Sequence, residues 1–276
     1  MSRDLIQDVL ETTDYSLLTF YHGSWADDQA KHLKKSISRR VDGIIIVGAP
    51  EKPDGPNHRL IKQLQDRGMP IVQIYRRIFP NVPVVLMDDE QAGYLSTGHL
   101  LELGHRRIAH VTYSGYRDDL LPGIDEEAHR RCAGYLRAMY DAGIAPTVLT
   151  FERTGDPAQE TKDYVPCCRQ IAQQLATCSP RITGVTAFND YAAIGLLHNL
   201  IGLGVRVPQD ISIVGHDNTE TGILMRPTLT TVAPKLFEIG RLAGSMILQM
   251  MDGGRVKDAV LAPELVVRGS SASPQA

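Results

Sequence analysis

Between Thr186 and Glu220 the chain reads TAFNDYAAIGLLHNLIGLGVRVPQDISIVGHDNTE: a short apolar run, a longer stretch of helical period, then a second apolar run. Few folds accept that order. Residues 185–188 stop at Asn189 and Asp190, whose side chains suit the cap of a helix carrying Ala192, Ala193, Leu196, Leu197, Leu200 and Ile201 on one face. Gly202 and Gly204 end that helix. The run 211–214 is too short for a helix and breaks off at Gly215-His216-Asp217-Asn218. Two strands joined by one helix run parallel, so Asn189 and Asp217 leave the same carboxyl edge of a sheet, where open α/β sheets bind ligands.

The same alternation fills the rest of the chain. Residues 3–10 give a short helix, 15–20 (YSLLTF) a first strand, and 27–40 a polar helix with Ala30, Leu33 and Ile37 on one stripe. A strand over 44–47, a loop over 51–57, a helix over 59–66 and a strand over 71–74 follow, the last running into Tyr75, Arg76 and Arg77. An extended run over 82–87 ends at Asp88-Asp89 and leads to a helix over 92–103. The pattern then restarts. A strand over 108–113 ends at Ser114-Gly115, a helix over 126–142 turns Ala133, Leu136 and Tyr140 inward, and a strand over 148–151 precedes a helix over 166–176. Beyond the opening unit come an extended run over 229–232, a helix over 237–251, a last strand over 264–267 and a Ser/Pro/Ala tail expected to fray. At 276 residues, this is an α/β chain of two doubly wound lobes, each able to bury a core.

Composition removes several function classes. A net charge of -3 gives no basic footprint for neutralising nucleic-acid phosphates. The four cysteines, Cys132, Cys167, Cys168 and Cys178, form no CxxC pair and no zinc spacing, which fits reduced thiols in a cytoplasmic setting. Neither a signal-peptide core nor an apolar run of roughly 18 residues is present, so no membrane partner is expected. Gly202-Leu203-Gly204 follows a helix rather than a strand, Ser114 lacks a nucleophile elbow, and Asp88, Asp89 and Asp217 have no metal-ligand spacing. No catalytic constellation, metal site or cofactor is expected.

Six segments carry a family resemblance. The run Gly98-His99-Leu100-Leu101-Glu102-Leu103-Gly104-His105-Arg106-Arg107-Ile108-Ala109 resembles a signature of the lactose-repressor family of bacterial transcription regulators. Arg131-Cys132-Ala133-Gly134-Tyr135, Ala187-Phe188-Asn189-Asp190, the stretch from Val207 to Asp217, Leu229-Thr230-Thr231-Val232 and the stretch from Pro263 to Arg268 match in the same order. The resemblance implies a periplasmic-binding-protein-like fold of two parallel-sheet lobes joined by three crossings, near Asp88, Pro234 and Leu261. Residues 1–87 with 235–260 would form one lobe and 88–234 with 261–270 the other, leaving 271–276 as tail. It also implies an interlobe cleft for a small polar effector, a sugar or related metabolite, in a homodimer. Two expectations depart from the family pattern. No helix-turn-helix reads in the chain, so operator DNA would be met only through a module not present here, and the first strand of the first lobe is missing.

By the same resemblance, Arg131 is the cleft arginine suited to bidentate bonds with ligand oxygens, Asn189 donates and accepts at a sugar hydroxyl or a nucleobase edge, and Asp217 accepts from hydroxyls or amines. Asp190 reads as a cap or brace. On the first lobe, Tyr75 stands where relatives often carry Asp and could stack on a ring, Arg76 suits a ligand oxygen or a pairing with Asp88 or Asp89, and Met87 forms an apolar wall. The reading is a ligand-sensing, dimerising core of a repressor and not an enzyme. A transporter's solute-binding protein shares the fold and is the alternative.

Overall fold

The computed structural model describes residues 6–275 except 8, 12, 22–25, 50, 53, 114–125 and 152–159. The chain begins with α1 (Ala26–Ser38), β1 (Ile44–Ile46), α2 (Pro56–Gln65), β2 (Ile71–Ile74) and β3 (Val84–Met87). It continues through α3 (Asp89–Glu102), β4 (Ile108–Tyr113), α4 (Glu126–Asp141), β5 (Thr147–Phe151), α5 (Glu160–Thr177), β6 (Gly184–Ala187), α6 (Asp190–Gly202), β7 (Ser212–His216), α7 (Glu220–Leu224) and β8 (Thr230–Ala233). It closes with α8 (Leu236–Met251), β9 (Ala259–Leu261) and β10 (Glu264–Val266). Two compact units result, one holding residues up to Met87 with Lys235–Leu261, the other holding 88–113, 127–234 and the residues from Ala262 onward.

The first unit is a parallel sheet in the order β1-β2-β3-β9. Helix α2 starts earlier than the sequence pattern placed it because Pro56 opens it and Glu51 caps it, accepting from the backbone N–H groups of Asn57 (3.3 Å) and His58 (2.7 Å). The buried Gln73 amide ties down the loop after β2: its oxygen accepts from Ile78 and Phe79 N–H, and its nitrogen donates to Phe79 and Val82 carbonyls. The strand expected over 15–20 is absent. Tyr15 and Leu18 are each 43% exposed, and apolar residues with no ladder partner do not make a strand. Of the helix expected over 3–10, residues 6, 7, 9 and 10 are helical and the rest lie outside the described residues, as do Ser114 and Gly115.

The second unit is a six-stranded sheet, β10-β8-β7-β6-β4-β5, parallel except for β10. One face is apolar: Ala109, Val111, Val185, Ala187 and Ile213 bury against Ile171, Leu175, Leu196, Leu197 and Leu200 of α5 and α6. Helices α3 and α4 cover other buried positions, with Leu100, Tyr135 and Met139 packed on Ile108 and Val214. Tyr135 Oη joins two strands, donating toward the Ile108 and Thr147 carbonyls (both 3.0 Å) and accepting from Thr147 N–H (2.7 Å). The phase of α4 differs from the sequence reading. Ala128, Arg131, Cys132, Tyr135, Ala138 and Met139 are buried, whereas Ala133 and Tyr140 are exposed. A stripe drawn through apolar residues alone leaves out Arg131, and restoring it rotates the buried face. Ile201, expected on the inner face of α6, is 46% exposed.

The tail is not frayed. β8 pairs only with positions 214–216 of β7, so the start of β7 has room for another segment. Residues 270–272 take it: Ile213 N–H donates to the Ser270 carbonyl, Ser270 Oγ donates to the Ile213 carbonyl (2.6 Å), and Thr230 N–H donates to Ser270 Oγ (2.8 Å). His105 Nε2 and Ser212 Oγ both meet the Ala272 carbonyl. Ser270→Ala should therefore cost ~1–3 kcal/mol in urea unfolding by orphaning the buried Thr230 N–H. An unchanged midpoint would return the tail to the frayed state its composition suggested.

Candidate functional site

In the six-stranded sheet the chain moves from β4 to β5 on one side and to β6 on the other, so the direction of winding reverses between β4 and β6. Ligands of open α/β sheets sit outside the carboxyl ends at such a point. Here the chain leaves β6 through Phe188 and Asn189, and the neighbouring β7 ends at His216 followed by Asp217.

Arg131 of α4 reaches this edge from below and is 7% exposed. Its Nε donates to Asp89 Oδ1 (2.9 Å), and its Nη1 donates to the Phe188 carbonyl (2.7 Å) and to Asp217 Oδ1 (2.9 Å). Burial disfavours the guanidinium charge, but Asp217 and Asp89 outweigh it and hold the group above its ordinary value. Burial pushes the Asp89 carboxyl up to about 6, against the downward pull of Arg131. Asp217 is the more open partner, with a side chain 35% exposed, and sits at φ 101, which side chains rarely adopt.

Asn189 caps α6, its oxygen accepting from Ala192 N–H (2.8 Å), while its amide nitrogen donates to Tyr164 Oη (3.2 Å). Its cap reading is borne out. Asp190 is a brace, as its fully buried carboxylate accepts from Thr231 Oγ1 (2.6 Å), Thr219 N–H (2.7 Å) and Thr219 Oγ1 (3.0 Å). Burial lifts it to about 6 despite those donors. The structure thus brings together Arg131, Asp217 and the backbone beside Asn189. Tyr75, Arg76 and Met87 belong to the other unit, where Tyr75 follows β2 at φ 68 and Met87 is the buried last residue of β3. Asp88 caps α3 by accepting from Gln91 N–H (2.9 Å), and Asp89 is engaged by Arg131.

Two groups escaped the sequence reading. The sequence offers Asp89 as a pairing partner for Arg76 or a rejected metal ligand, not as the partner of Arg131. An aromatic cluster, Tyr113, Phe151, Tyr164 and Phe188, backs the edge with ring centroids 4.9 to 6.3 Å apart. Its signal was available: Tyr113 and Phe151 each end a strand, and Phe188 follows one.

Under the site lie two fully buried histidines. His110 Nδ1 meets Thr186 Oγ1 (2.9 Å), and His216 Nδ1 donates to the Ala187 carbonyl (2.7 Å). Burial pushes both imidazoles down to about 3, with Arg131 adding to the effect. An unfolded chain takes up those protons near pH ~6.5, so the stability they contribute is complete above that value and is lost as pH falls toward 3. Asp89 and Asp190 act oppositely, since raised carboxyls take protons in the folded state first. The histidine part is isolated by subtraction: the unfolding free-energy gap between wild type and His110→Asn should shrink on going from about pH 7 to about pH 4. A constant gap would mean that His110 ionises equally in both states.

Comparison with known proteins bears on the whole chain. Residues 97–271 match the model of a periplasmic binding protein-like domain. The arabinose metabolism transcriptional repressor of Geobacillus stearothermophilus is 30% identical over 275 residues, covering 96% of this chain and 71% of the relative. A PurR-type transcriptional repressor of Vibrio vulnificus is 29% identical over 266 residues, covering 92% and 71%. Among solved structures, a LacI family transcriptional regulator from Enterococcus faecium with bound ribose superposes at a TM-score of 0.76, with 27% identity over 99% of this chain and 93% of that one.

Proposed function

The chain belongs to the lactose-repressor (LacI) family of transcriptional regulators, and from that premise we propose that Arg131, Asn189 and Asp217 hold a small polyhydroxylated effector, a sugar or related metabolite. The observation that carries this reading is the group at the carboxyl edge. Arg131 is buried yet charged, Asp217 keeps a partly exposed carboxylate, and the Asn189 amide stands beside Tyr164. Adjacent hydroxyls each donate and accept, and an arginine donor next to a carboxylate acceptor matches them. Tyr75, Arg76 and Met87 are carried with these residues as candidates on the four-stranded unit.

The regulator reading is favoured over a transporter's solute-binding protein because the curated relatives that span nearly the whole chain are transcriptional repressors. We infer a homodimer as the working assembly, with operator DNA read by a module outside these residues; a two-fold protein suits a two-fold operator. No helix among the described residues is long and apolar enough to cross a membrane. An effector in this proposal acts only through unequal affinity for two conformations of the protein, since equal binding shifts nothing.

The test is a thermal-shift screen of pentoses, hexoses and purine bases. A ligand at 100 times its Kd adds about 2.7 kcal/mol of stability. A pentose or hexose should produce a shift that Arg131→Lys and Asp217→Ala both abolish, because lysine keeps the charge but not the fork. Stabilisation by purines alone, or by sugars in both variants, would sink the assignment.

A further inference from the structure

Arg131 has five N–H groups, and their use is uneven. Nε is spent on Asp89, and Nη1 is spent on Phe188 and Asp217. Among the described residues, Nη2 takes no hydrogen bond. Asp89 spends its Oδ1 on Nε and is as buried as its partner, the two side chains being 7% and 8% exposed. We propose that Asp89 is a positioning residue: by holding Nε it fixes the plane of the Arg131 guanidinium so that the two N–H groups of Nη2 are the ones presented to an effector.

Three observations support this. Asp89 is the first residue of α3, where the helix dipole favours a carboxylate, and Asp88 caps the same turn, so the acceptor is rigidly placed. Asp217 cannot do the job alone, because it bonds through Nη1 and its side chain is 35% exposed. The Phe188 and Asp217 contacts both fall on Nη1, at one end of the fork, whereas the Asp89 contact at Nε adds a second anchor along its other edge. A buried ion pair is also a poor source of net stability compared with an apolar pair of similar volume, so orientation is the role that accounts for it.

The proposal rests on Arg131 being an effector contact, and the experiment separates the two ideas. The Arg131 Nε–H signal is followed by nitrogen-15 NMR in wild type, Asp89→Asn, Asp89→Leu and Asp89→Ser, with binding of D-ribose, L-arabinose and D-xylose measured by calorimetry on each. Asparagine keeps an acceptor at the right reach, while leucine has none and serine is too short; serine also serves should the leucine variant not fold. The expected result is an exchange-protected Nε–H in wild type and Asp89→Asn, lost in the other two. Pentose affinity should then fall about ten- to a hundredfold in those two and hold in Asp89→Asn. A protected signal in Asp89→Ser or Asp89→Leu, or wild-type affinity despite its loss, overturns the proposal. If wild type binds none of the three pentoses, the choice of these sugars as effectors fails, and the NMR comparison alone still decides whether Asp89 sets the guanidinium.

Discussion

The backbone contact between α3 and α4 is the constraint on which the site depends. A Cβ on Gly93 would lie 1.9 Å from the Arg131 carbonyl, and one on Gly134 would lie 1.9 Å from the Glu90 carbonyl. Two glycines, one from each helix, thus let the main chains touch where any side chain would force them apart. That approach places the Arg131 side chain within reach of Asp89 on the facing helix. It also seats Tyr135, the residue after Gly134, where its hydroxyl ties β4 to β5. The segment Arg131-Cys132-Ala133-Gly134-Tyr135 therefore has a mechanical reading: a buried, paired cation, a contact glycine and a strand clamp on adjoining turns of one helix.

A second close approach secures the other half of the site. A Cβ on Gly215 would meet Asp190 Oδ1 at 2.3 Å, so the bare backbone of β7 is what admits the Asp190 brace. From there Asp190 grips Thr219 and Thr231. The intervening loop has two residues in the left-handed region, Asp217 at φ 101 and Asn218 at φ 51. Such positions cost about 1–3 kcal/mol each and persist where the surroundings over-determine them. Here they do: Asp217 N–H donates to the Val232 carbonyl, Asn218 N–H to Thr231 Oγ1 (3.3 Å), and Arg268 Nη2 to Asn218 Oδ1 (2.5 Å). The Asp217 carboxylate is aimed by this frame rather than by its own preference.

What the sequence made legible follows from which signals are local. Strand β4 over Ile108–Tyr113 and strand β2 over Ile71–Ile74 were read to the residue, because short apolar runs between glycine, proline and polar breaks admit one interpretation. The shared edge of Asn189 and Asp217 followed from the handedness-independent fact that one helix joins parallel strands. The reading failed where a partner was remote. The phase of α4 was missed because its buried face contains a charged residue neutralised by carboxylates 42 and 86 positions away. The tail was given up as loose because Ser270 looks like solvent-facing serine until the gap beside β7 is known. Residues 15–20 have strand composition, and composition cannot supply a neighbour.

The same distinction explains why the sequence offered candidate residues but not the hydrogen bonds between them. Arg131, Asn189 and Asp217 carry functional groups whose chemistry is visible from residue type alone. Asp89 carries the same group as Asp88 next to it, and only the fold separates them: Asp88 turns its carboxylate onto its own helix, Asp89 onto α4. In the site proposed above, such a division of labour lowers the cost of recognition. An arginine already fixed at two nitrogens has little rotamer freedom left to lose when a ligand arrives, and freezing a mobile side chain of this kind costs about 0.5–1.5 kcal/mol. The folded chain has met that cost in advance, through α3, α4 and the glycines that let them touch.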